Sequence, residues 1–524
     1  MDPAAAWQEV ARFHETSIAT SAHMYGLDQE NALVREFLAK VPIAALFACL
    51  QDASDRGSNK EVKQACKCIN RVLSSSTDGA SLFFHPDTVP FVLAGLSHVE
   101  KQARELVADQ FIAQLGRRPS PDQYKAVADP LVLERLCSVV SDDDVDVASK
   151  ASTVLEMFAS MPESGIYRAV LDSLKKRAQS SEITLNSIEY MRYLETIVKI
   201  CAQEDTHVEY GISVGAIDLV VDCLRSNDPL FLMNVVELVP AICQTKIGVE
   251  YIVKSGTLKT LLDMTQDPFV GGNVIRLVGE ISATAARVNI KTWTWGDATL
   301  SDAFLETVES KMQSSDSLQQ IAAMDALAAF GSTSDKEMHV LLQHRSICQK
   351  WMSFSTSTKL PVKSNCFHSI ARVLGAHTRL VRQLDDVPNE TQEVWSLCER
   401  LFNSLGPEGA QQSTMVLLMN TLKQPFEELR TSVFHVLRSV AAQNNPWGMR
   451  VLRSYGGFFE FLLDRTTEAT KDAREWKFAV LDAVLASPFQ SQLDDSLHEK
   501  LRANLAQGPY ARAPALAEMV LESA

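Results

Sequence analysis

The sequence lacks the hydrophobic segments that would place it in or across a membrane. Its apolar runs, such as VPFVLAGL and PIAALFACL, are shorter than the roughly 18 residues of a membrane-spanning helix. The N-terminal stretch MDPAAAWQEVARFHE has an acidic residue at position 2 and no apolar core of the secretory type. We therefore expect a protein of the cytosol or the nucleus with no membrane partner.

Positive charge is also scarce. The 524 residues contain 50 lysines and arginines against 65 aspartates and glutamates, which gives a formal net charge of -15. The short basic groups Lys175-Lys176-Arg177 and Arg117-Arg118 are typical of solvated helix ends. Because nucleic-acid binding needs a basic stripe that neutralises phosphates, we expect no nucleic-acid partner.

Motifs for nucleotide binding and catalysis are missing. The glycines form neither GxxxxGK[ST] nor GxGxxG, and Gly271-Gly272 precedes a helical pattern without the rest of such a loop. No GxSxG nucleophile elbow occurs. The sequence therefore predicts no catalytic residue, no cofactor and no enzyme.

Spacings for metal sites are missing as well. Cys66 and Cys68 are separated by one residue, as are Cys366 and His368, and neither pair has a second pair at zinc spacing. The ten cysteines are mostly isolated among apolar residues, which is typical of buried free thiols in a reducing compartment. We expect neither a metal site nor a disulfide framework.

Alternating patterns of β-strands are absent, whereas an octapeptide recurs. GAIDLVVD at 215–222, GTLKTLLD at 256–263 and GFFEFLLD at 457–464 each have a glycine, a charge, two aliphatic residues and a final Asp. The first two begin 41 residues apart, and the third begins 201 residues after the second, about five units of ~40 residues. This period is typical of armadillo and HEAT repeats.

The likeness continues beyond the octapeptide into a two-helix unit. Asp228-Pro229 precedes FLMNVVELV, and Asp267-Pro268 precedes NVIRLVGEI, 39 residues later. A unit therefore consists of a helix begun by a glycine, an Asp-Pro turn and a second helix. The glycine either ends the preceding helix in a left-handed cap or lets the next helix pack closely. The patterns at 147–158, 317–330 and 428–440 also predict second helices.

These features together predict an all-α, armadillo/HEAT-type helical-repeat solenoid over residues 1–524, with about eleven to thirteen units. Divergent repeats occupy 1–200, central repeats 201–390, and C-terminal repeats with a cap 391–524. Longer loops are expected at 117–122, 288–300, 353–363 and 375–393. Trp293 and Trp295, in the second loop, either anchor a partner or cover the groove between two repeats.

The last hundred residues contain a series of distinctive motifs: QPFEEL at 424–429, PW at 446–447, GFFE with the following DR at 457–465, KDA at 471–473, and GPYxxxP at 508–514. In their order and spacing these motifs resemble the proteasome non-ATPase regulatory subunit 5 family, assembly chaperones of the proteasome base. A weaker likeness includes Gly248, Tyr251 and Gly256. Nothing before residue 200 resembles the family.

The resemblance implies a solenoid that binds the C-terminal domain of a proteasome ATPase subunit and is absent from the mature proteasome. One or more base ATPase subunits are the expected partners, with the base scaffold subunit as a further candidate. The chain itself is expected to be a monomer before it binds its client.

For the contact surface we predict polar positions on the second helices of the central repeats. Five residues lie off the apolar stripe of their helices: Asn234, Glu237, Asn273, Arg276 and Glu280. By contrast, the aromatic and proline residues of the C-terminal motifs are expected to fix turns and fill the core; they are Pro425, Phe426, Pro446, Trp447 and Phe458.

An alternative function stays open on the sequence alone. A generic armadillo-type adaptor or transport protein would bind an extended peptide. Such proteins often carry a row of asparagines near the end of the second helix, where this chain has Pro240 and Gly279. The missing row favours the chaperone.

Overall fold

The computed structural model of the chain describes residues 3–21, 27–75, 78–161, 165–267, 269–287, 298–376, 389–406 and 413–510. Over these ranges the chain forms α-helices and short 3-10 helices and no β-strand, which confirms the all-α fold class. None of the helices in these ranges is long and apolar enough to cross a membrane. The chain divides into two compact units, residues 1–248 and 249–524.

In its described residues the first unit contains fifteen helices and the beginning of a sixteenth. They are α1 (Pro3–Ser21), α2 (Leu27–Lys40), α3 (Ile43–Asp55), α4 (Asn59–Ser74), α5 (Asp78–Phe83), α6 (Val89–Leu96), α7 (Lys101–Gly116), α8 (Pro121–Val127), α9 (Pro130–Val139), α10 (Val145–Ala159), α11 (Ile166–Ala178), α12 (Ile188–Cys201), α13 (Asp205–Ser213), α14 (Asp218–Cys223), α15 (Pro229–Ile242) and α16 (Lys246–Lys254). The border between the units falls inside α16.

The described helices of the second unit after α16 are α17 (Thr257–Met264), α18 (Gly271–Arg287), α19 (Ala298–Gln313), α20 (Ser317–Gly331), α21 (Asp335–Gln343), α22 (Arg345–Ser353), α23 (Leu360–Ala376), α24 (Asn389–Asn403), α25 (Thr414–Leu422), α26 (Glu427–Ala441), α27 (Pro446–Ser454), α28 (Phe458–Leu463), α29 (Lys471–Ala486) and α30 (Asp495–Gln507). Short 3-10 helices occupy Pro86–Thr88, Phe354–Thr356 and Gln490–Gln492.

Within each unit, one helix of every repeat packs against its counterpart in the next repeat. We call these the second helices: α4, α7, α10, α12 and α15 in the first unit, and α18, α20, α23, α26 and α29 in the second. All five second helices that the sequence pattern predicted belong to these two rows. Because each helix buries an apolar stripe against its neighbours, the core extends along the row from repeat to repeat.

Polar contacts between neighbouring second helices show the repeat period directly. Gln110 Nε2 on α7 lies 2.6 Å from Asn70 Oδ1 on α4, and Lys150 Nζ on α10 lies 2.9 Å from Asp109 Oδ2 on α7. The partners are 40 and 41 residues apart in the sequence. The period of about 40 residues is therefore the distance along the chain between residues that touch.

The glycine that begins each octapeptide adopts the predicted left-handed conformation. Its φ is 71° at Gly215, 75° at Gly256 and 89° at Gly457. A fourth copy, GIYRAVLD at 165–172, was not recognised in the sequence although Gly165 has φ 64° and precedes α11. A side chain at these positions would be strained by the backbone alone, so the glycine is required for the turn.

Aspartates precede several of the second helices and cap them, as at Asp144 of α10, Asp228 of α15 and Asp316 of α20. The Asp228 carboxylate accepts hydrogen bonds from the backbone N–H groups of Leu230 and Phe231 at 3.0 and 3.2 Å. Asp267 accepts from the corresponding groups of the next repeat at 2.8 and 3.0 Å, while Pro268 lies outside the described residues. These caps satisfy backbone donors that would otherwise lack a partner.

All four predicted loops are wrong in part, because each contains a helix start. α19 begins at Ala298 inside 288–300, and α24 begins at Asn389 inside 375–393. Ser120 caps α8 with a reciprocal capping box, so this helix begins at Pro121 inside the segment 117–122. Within 353–363, Phe354–Thr356 is a 3-10 helix and α23 begins at Leu360. Trp293 and Trp295 lie outside the described residues, as does most of 375–393.

Candidate protein-binding surface

The five predicted contact residues lie on second helices and divide between the two units. Asn234 and Glu237 are exposed on α15 of the first unit. They stand off the buried stripe that includes Val235, Val239 and Ile242. Neither side chain makes a hydrogen bond or ion pair with another described residue, so both are free to contact a partner.

The other three residues form one face of α18 in the second unit. Arg276 is exposed, whereas Asn273 and Glu280 are half-buried. Glu280 is already engaged, because its carboxylate accepts two hydrogen bonds from the Arg372 guanidinium of α23, at 2.7 and 3.2 Å. This bidentate pair makes Glu280 a residue that holds neighbouring helices together as well as a candidate contact.

A carboxyl group on α20 lies between these charges. Burial raises the pKa of Asp325, while a hydrogen bond from the Asn365 amide and the positive charges of Arg276 and Arg372 oppose the shift. The Asn365 Nδ2 atom lies 2.7 Å from Asp325 Oδ1. We call Arg276, Glu280, Asp325, Asn365 and Arg372 the polar row, because it joins α18, α20 and α23 across one face of the second unit.

A second polar feature of this face was not predicted from the sequence. His368 of α23 and His435 of α26 place their Nδ1 atoms 3.3 Å apart, and the His435 ring lies 4.8 Å from that of Trp476 on α29. Burial, aided by His368 and Arg438, lowers the pKa of His435 to about 4. The pair is therefore neutral at pH 7 and serves as a hydrogen-bonded contact between helices.

A signal for this pair does exist in the sequence. Both helices carry a Phe-His dipeptide followed by aliphatic residues two and five positions after the histidine: Ile370 and Val373 in α23, Leu437 and Val440 in α26. Aligning the helices on this signature would have matched the histidines. The spacing of Cys366 and His368 was interpreted for metal binding alone, and the Phe-His dipeptide that α23 shares with α26 was not compared.

In the part of the chain that the structure describes, no group of three or more His, Cys, Asp or Glu side chains is arranged to hold a metal ion. Cys66 and Cys68 are buried, and burial raises the pKa of both thiols to about 12. Such thiols are protonated at neutral pH and act as small apolar side chains.

The C-terminal motifs converge on a structural cluster. Arg465 donates hydrogen bonds to the backbone carbonyls of Asn504 and Gly508, each at 2.8 Å. Lys477 is buried, donates to Thr467 Oγ1 at 2.6 Å, and lies over the Phe461 ring. Desolvation lowers the pKa of Lys477 to about 8. These residues join α28, α29 and α30 into a cap.

The aromatic residues of those motifs divide into two groups. Trp447 and Phe458 are each 1% exposed, which confirms that they fill the core. The expectation is wrong for Phe426, which is 49% exposed beside Pro425 at the start of α26. Phe426 is the N-cap of α26 and has an extended backbone, so it precedes the helical spacing that places the buried stripe of this helix.

The chain is similar to known proteins over nearly its whole length. The sequence model of a family described as "Proteasome non-ATPase 26S subunit" matches residues 4–520. The human protein named 26S proteasome non-ATPase regulatory subunit 5 is 22% identical over 431 residues, which cover 79% of each chain. Its Drosophila melanogaster namesake is 21% identical over 514 residues, covering 94% of this chain and 92% of that one.

A solved structure supports the fold. A crystal structure of a Kap121p mutant superposes with a TM-score of 0.52 at 12% identity, covering 91% of this chain and 49% of that chain. At this identity the likeness concerns the helical-repeat fold alone. The family match, by contrast, extends from residue 4 to residue 520 and includes the C-terminal motifs described above. The chain therefore belongs to the family of proteasome non-ATPase 26S subunits.

Proposed function

We propose that this protein is an assembly chaperone of the proteasome base, which binds the C-terminal domain of an ATPase subunit and leaves before the regulatory particle matures. The observation that carries the proposal is the family match over residues 4–520. Membership of this family gives the chain a proteasome-related role. The chaperone activity follows from the resemblance of the C-terminal motifs to base-assembly chaperones.

The surface of the second helices supports binding rather than catalysis. Glu237 and Arg276 are exposed there, in the first and second units respectively, and both extend from well-packed helices. A preformed helical surface loses little conformational entropy when it binds a folded domain. We propose that the chain has no enzymatic activity. We also propose that it is a monomer in the cytosol or nucleus until it binds the client.

Affinity purification of the tagged full-length chain from cell extract tests this proposal. Base ATPase subunits should be recovered without the full set of lid and core-particle subunits. The double variant Glu237→Arg/Arg276→Glu should recover at least about tenfold less, because reversed charges replace complementary ones at a partner surface. Helical circular dichroism should be unchanged, since neither side chain is buried. The melting midpoint shows whether the reversed charge at residue 276 disturbs the polar row, and the loss of recovery is read only from protein that melts as the parent does.

A matched control uses exposed charges on helices outside the second-helix rows. Glu209 on α13 and Lys259 on α17 are exposed and belong to the same two units. Glu209→Arg/Lys259→Glu should retain full recovery. Equal recovery with both double variants would remove Glu237 and Arg276 from the interface. Recovery of no proteasome subunit by the parent chain would overturn the chaperone function in favour of a generic adaptor.

A further inference from the structure

Four large apolar side chains are exposed where four consecutive second helices of the first unit begin. Val99 precedes α7, Val145 and Ile188 open α10 and α12, and Leu230 lies in the first turn of α15. Their exposed fractions are 80%, 65%, 70% and 76%. Single exposed apolar residues are ordinary, but the same feature at the same position in four successive repeats is a pattern.

Polar contacts bring the starts of these helices side by side. Lys101 Nζ at the start of α7 lies 2.7 Å from Asp144 Oδ2, the cap of α10. Arg192 Nη1 in the first turns of α12 donates to the Asp142 carbonyl at 2.7 Å. Asn186 Nδ2 donates to Ser226 Oγ, which joins the turns before α12 and α15 at 3.3 Å. Val99, Val145, Ile188 and Leu230 therefore line one edge, which we call the apolar edge.

The apolar edge is surrounded by negative charge. The four segments that form it, residues 99–104, 142–147, 187–192 and 226–231, contain seven carboxylates and three basic side chains. Asp143 is exposed and makes no hydrogen bond or ion pair with another described residue. At the start of α23 in the second unit, by contrast, Lys359 and Lys363 contribute positive charge.

The spacing of the edge matches one backbone conformation. Packed helices have axes about 8–10 Å apart, so consecutive apolar side chains recur at about that interval. A polyproline II chain has three residues per turn and rises about 9 Å per turn, which places every third side chain on one face at the same interval. A β-strand alternates its faces and does not present every third residue in this way.

We propose that the apolar edge binds a polypeptide segment in the polyproline II conformation, with an apolar side chain at every third position and lysine or arginine between. The acidic surround selects this occupant over a second copy of the chain, whose edge carries the same charge, and over an anionic lipid surface. This inference goes beyond the proposed function, because it assigns a peptide ligand to the starts of the second helices, about two turns from Glu237 on α15, and needs no ATPase client.

A synthetic twelve-residue peptide of four Leu-Lys-Pro repeats is the probe. Its fluorescence anisotropy should rise on titration with the full-length protein, and added salt should weaken the binding. The double variant Ile188→Ser/Leu230→Ser should bind about tenfold more weakly, because two apolar contacts are lost at exposed sites that do not support the fold. A peptide with glutamate in place of lysine should not bind.

Leu131 provides the control. It is 62% exposed in the first turn of α9 and follows Asp129-Pro130, just as Leu230 follows Asp228-Pro229, but α9 is not a second helix. Leu131→Ser should bind the peptide as the parent protein does. Absence of binding by the parent, or equal affinities for Ile188→Ser/Leu230→Ser and Leu131→Ser, would overturn the proposal. So would a dimer in sedimentation that Ile188→Ser/Leu230→Ser abolishes, since a second copy would then cover the edge.

Discussion

At the scale of single residues, Gly279 shows how closely two second helices approach. A Cβ at this position of α18 would lie 2.6 Å from the Ala326 carbonyl oxygen and 2.7 Å from the Ala326 Cα on α20. These are backbone atoms, which cannot move aside as a flexible side chain would. Gly279 thus permits the contact on which the stacking of α18 and α20 depends.

We expect Gly279→Ala to lower the free energy of unfolding by about 1–3 kcal/mol, the usual cost of an overpacked contact. A loss of stability would be informative, because replacing glycine with alanine in the middle of a helix otherwise raises stability by about 1 kcal/mol. Gly272→Ala in the same helix is the control, since its Cβ would meet only the Gln319 side chain at 3.4 Å. Urea denaturation measures both. A Gly279→Ala variant as stable as Gly272→Ala would contradict the close approach.

Local residue roles were predictable where the backbone alone decides them. Gly215, Gly256 and Gly457 were expected in left-handed turns and are found there. Gly165 was missed because its octapeptide begins 50 residues before the next one, which departs from the period of about 40. Phe426 was wrongly expected in the core. Its burial depends on the direction in which the start of α26 faces, and the residues next to it in the sequence do not determine this direction.

At the scale of helices, the contact between α23 and α26 includes a pair of histidines, His368 and His435, with lowered pKa values. Burial, with His368 and Arg438 beside it, lowers the pKa of His435 to about 4, and burial lowers the pKa of His368 despite the opposing charges of Glu428 and Asp325. In the unfolded chain a histidine titrates near pH 6.5. Between pH 6.5 and 4 the unfolded chain therefore binds more protons than the folded one, so stability falls on acidification.

We expect the free energy of unfolding to decrease between pH 6.5 and 4, and this decrease to be smaller in His435→Gln. Chemical denaturation of both proteins at several pH values measures the two slopes. Identical slopes for the parent and His435→Gln would mean that the histidine pair does not link stability to pH.

The positions of helices were easier to predict from the sequence than the side-chain contacts between one helix and another. All five second helices that were predicted from apolar spacing are present, because an amphipathic stripe is a local property. The histidine pair joins residues 67 positions apart, since α24 and α25 intervene between α23 and α26. An alignment of repeats with a period of about 40 residues therefore does not place His368 opposite His435. The positions of Asn234, Glu237, Asn273, Arg276 and Glu280 on second helices were predictable, whereas the ion pair between Glu280 and Arg372 was not.

At the scale of the whole molecule, repeats that contact their neighbours do not guarantee one cooperative transition. Six of the seven tryptophans belong to the second unit, and Trp7, on the first helix, donates to Asp52 Oδ2 at 2.9 Å. Tryptophan fluorescence therefore reports mainly on residues 249–524, whereas circular dichroism reports on all helices. The two signals measure different parts of the chain.

We expect the urea midpoints of fluorescence and circular dichroism to differ, because the two units need not unfold together. Gly279→Ala should shift the fluorescence midpoint more than the circular dichroism midpoint, since α18 belongs to the second unit. Coincident midpoints in both proteins would indicate a single two-state transition.

The family resemblance visible in the sequence motifs concerned mainly the C-terminal part of the chain. The family match extends to residue 4, into repeats whose motifs had diverged too far to be recognised by eye.

The burial of the native thiols has a practical consequence for chemistry at the apolar edge. Eight of the ten cysteines are buried, and Cys223 and Cys348, which are half-buried, have pKa values raised by desolvation. Maleimides react with thiolates, so these side chains react slowly at neutral pH. A cysteine introduced by Leu230→Cys would be 76% exposed if it kept the exposure of Leu230, and it would be alkylated first. A spectroscopic probe can thus be attached beside α15 without removing any native cysteine.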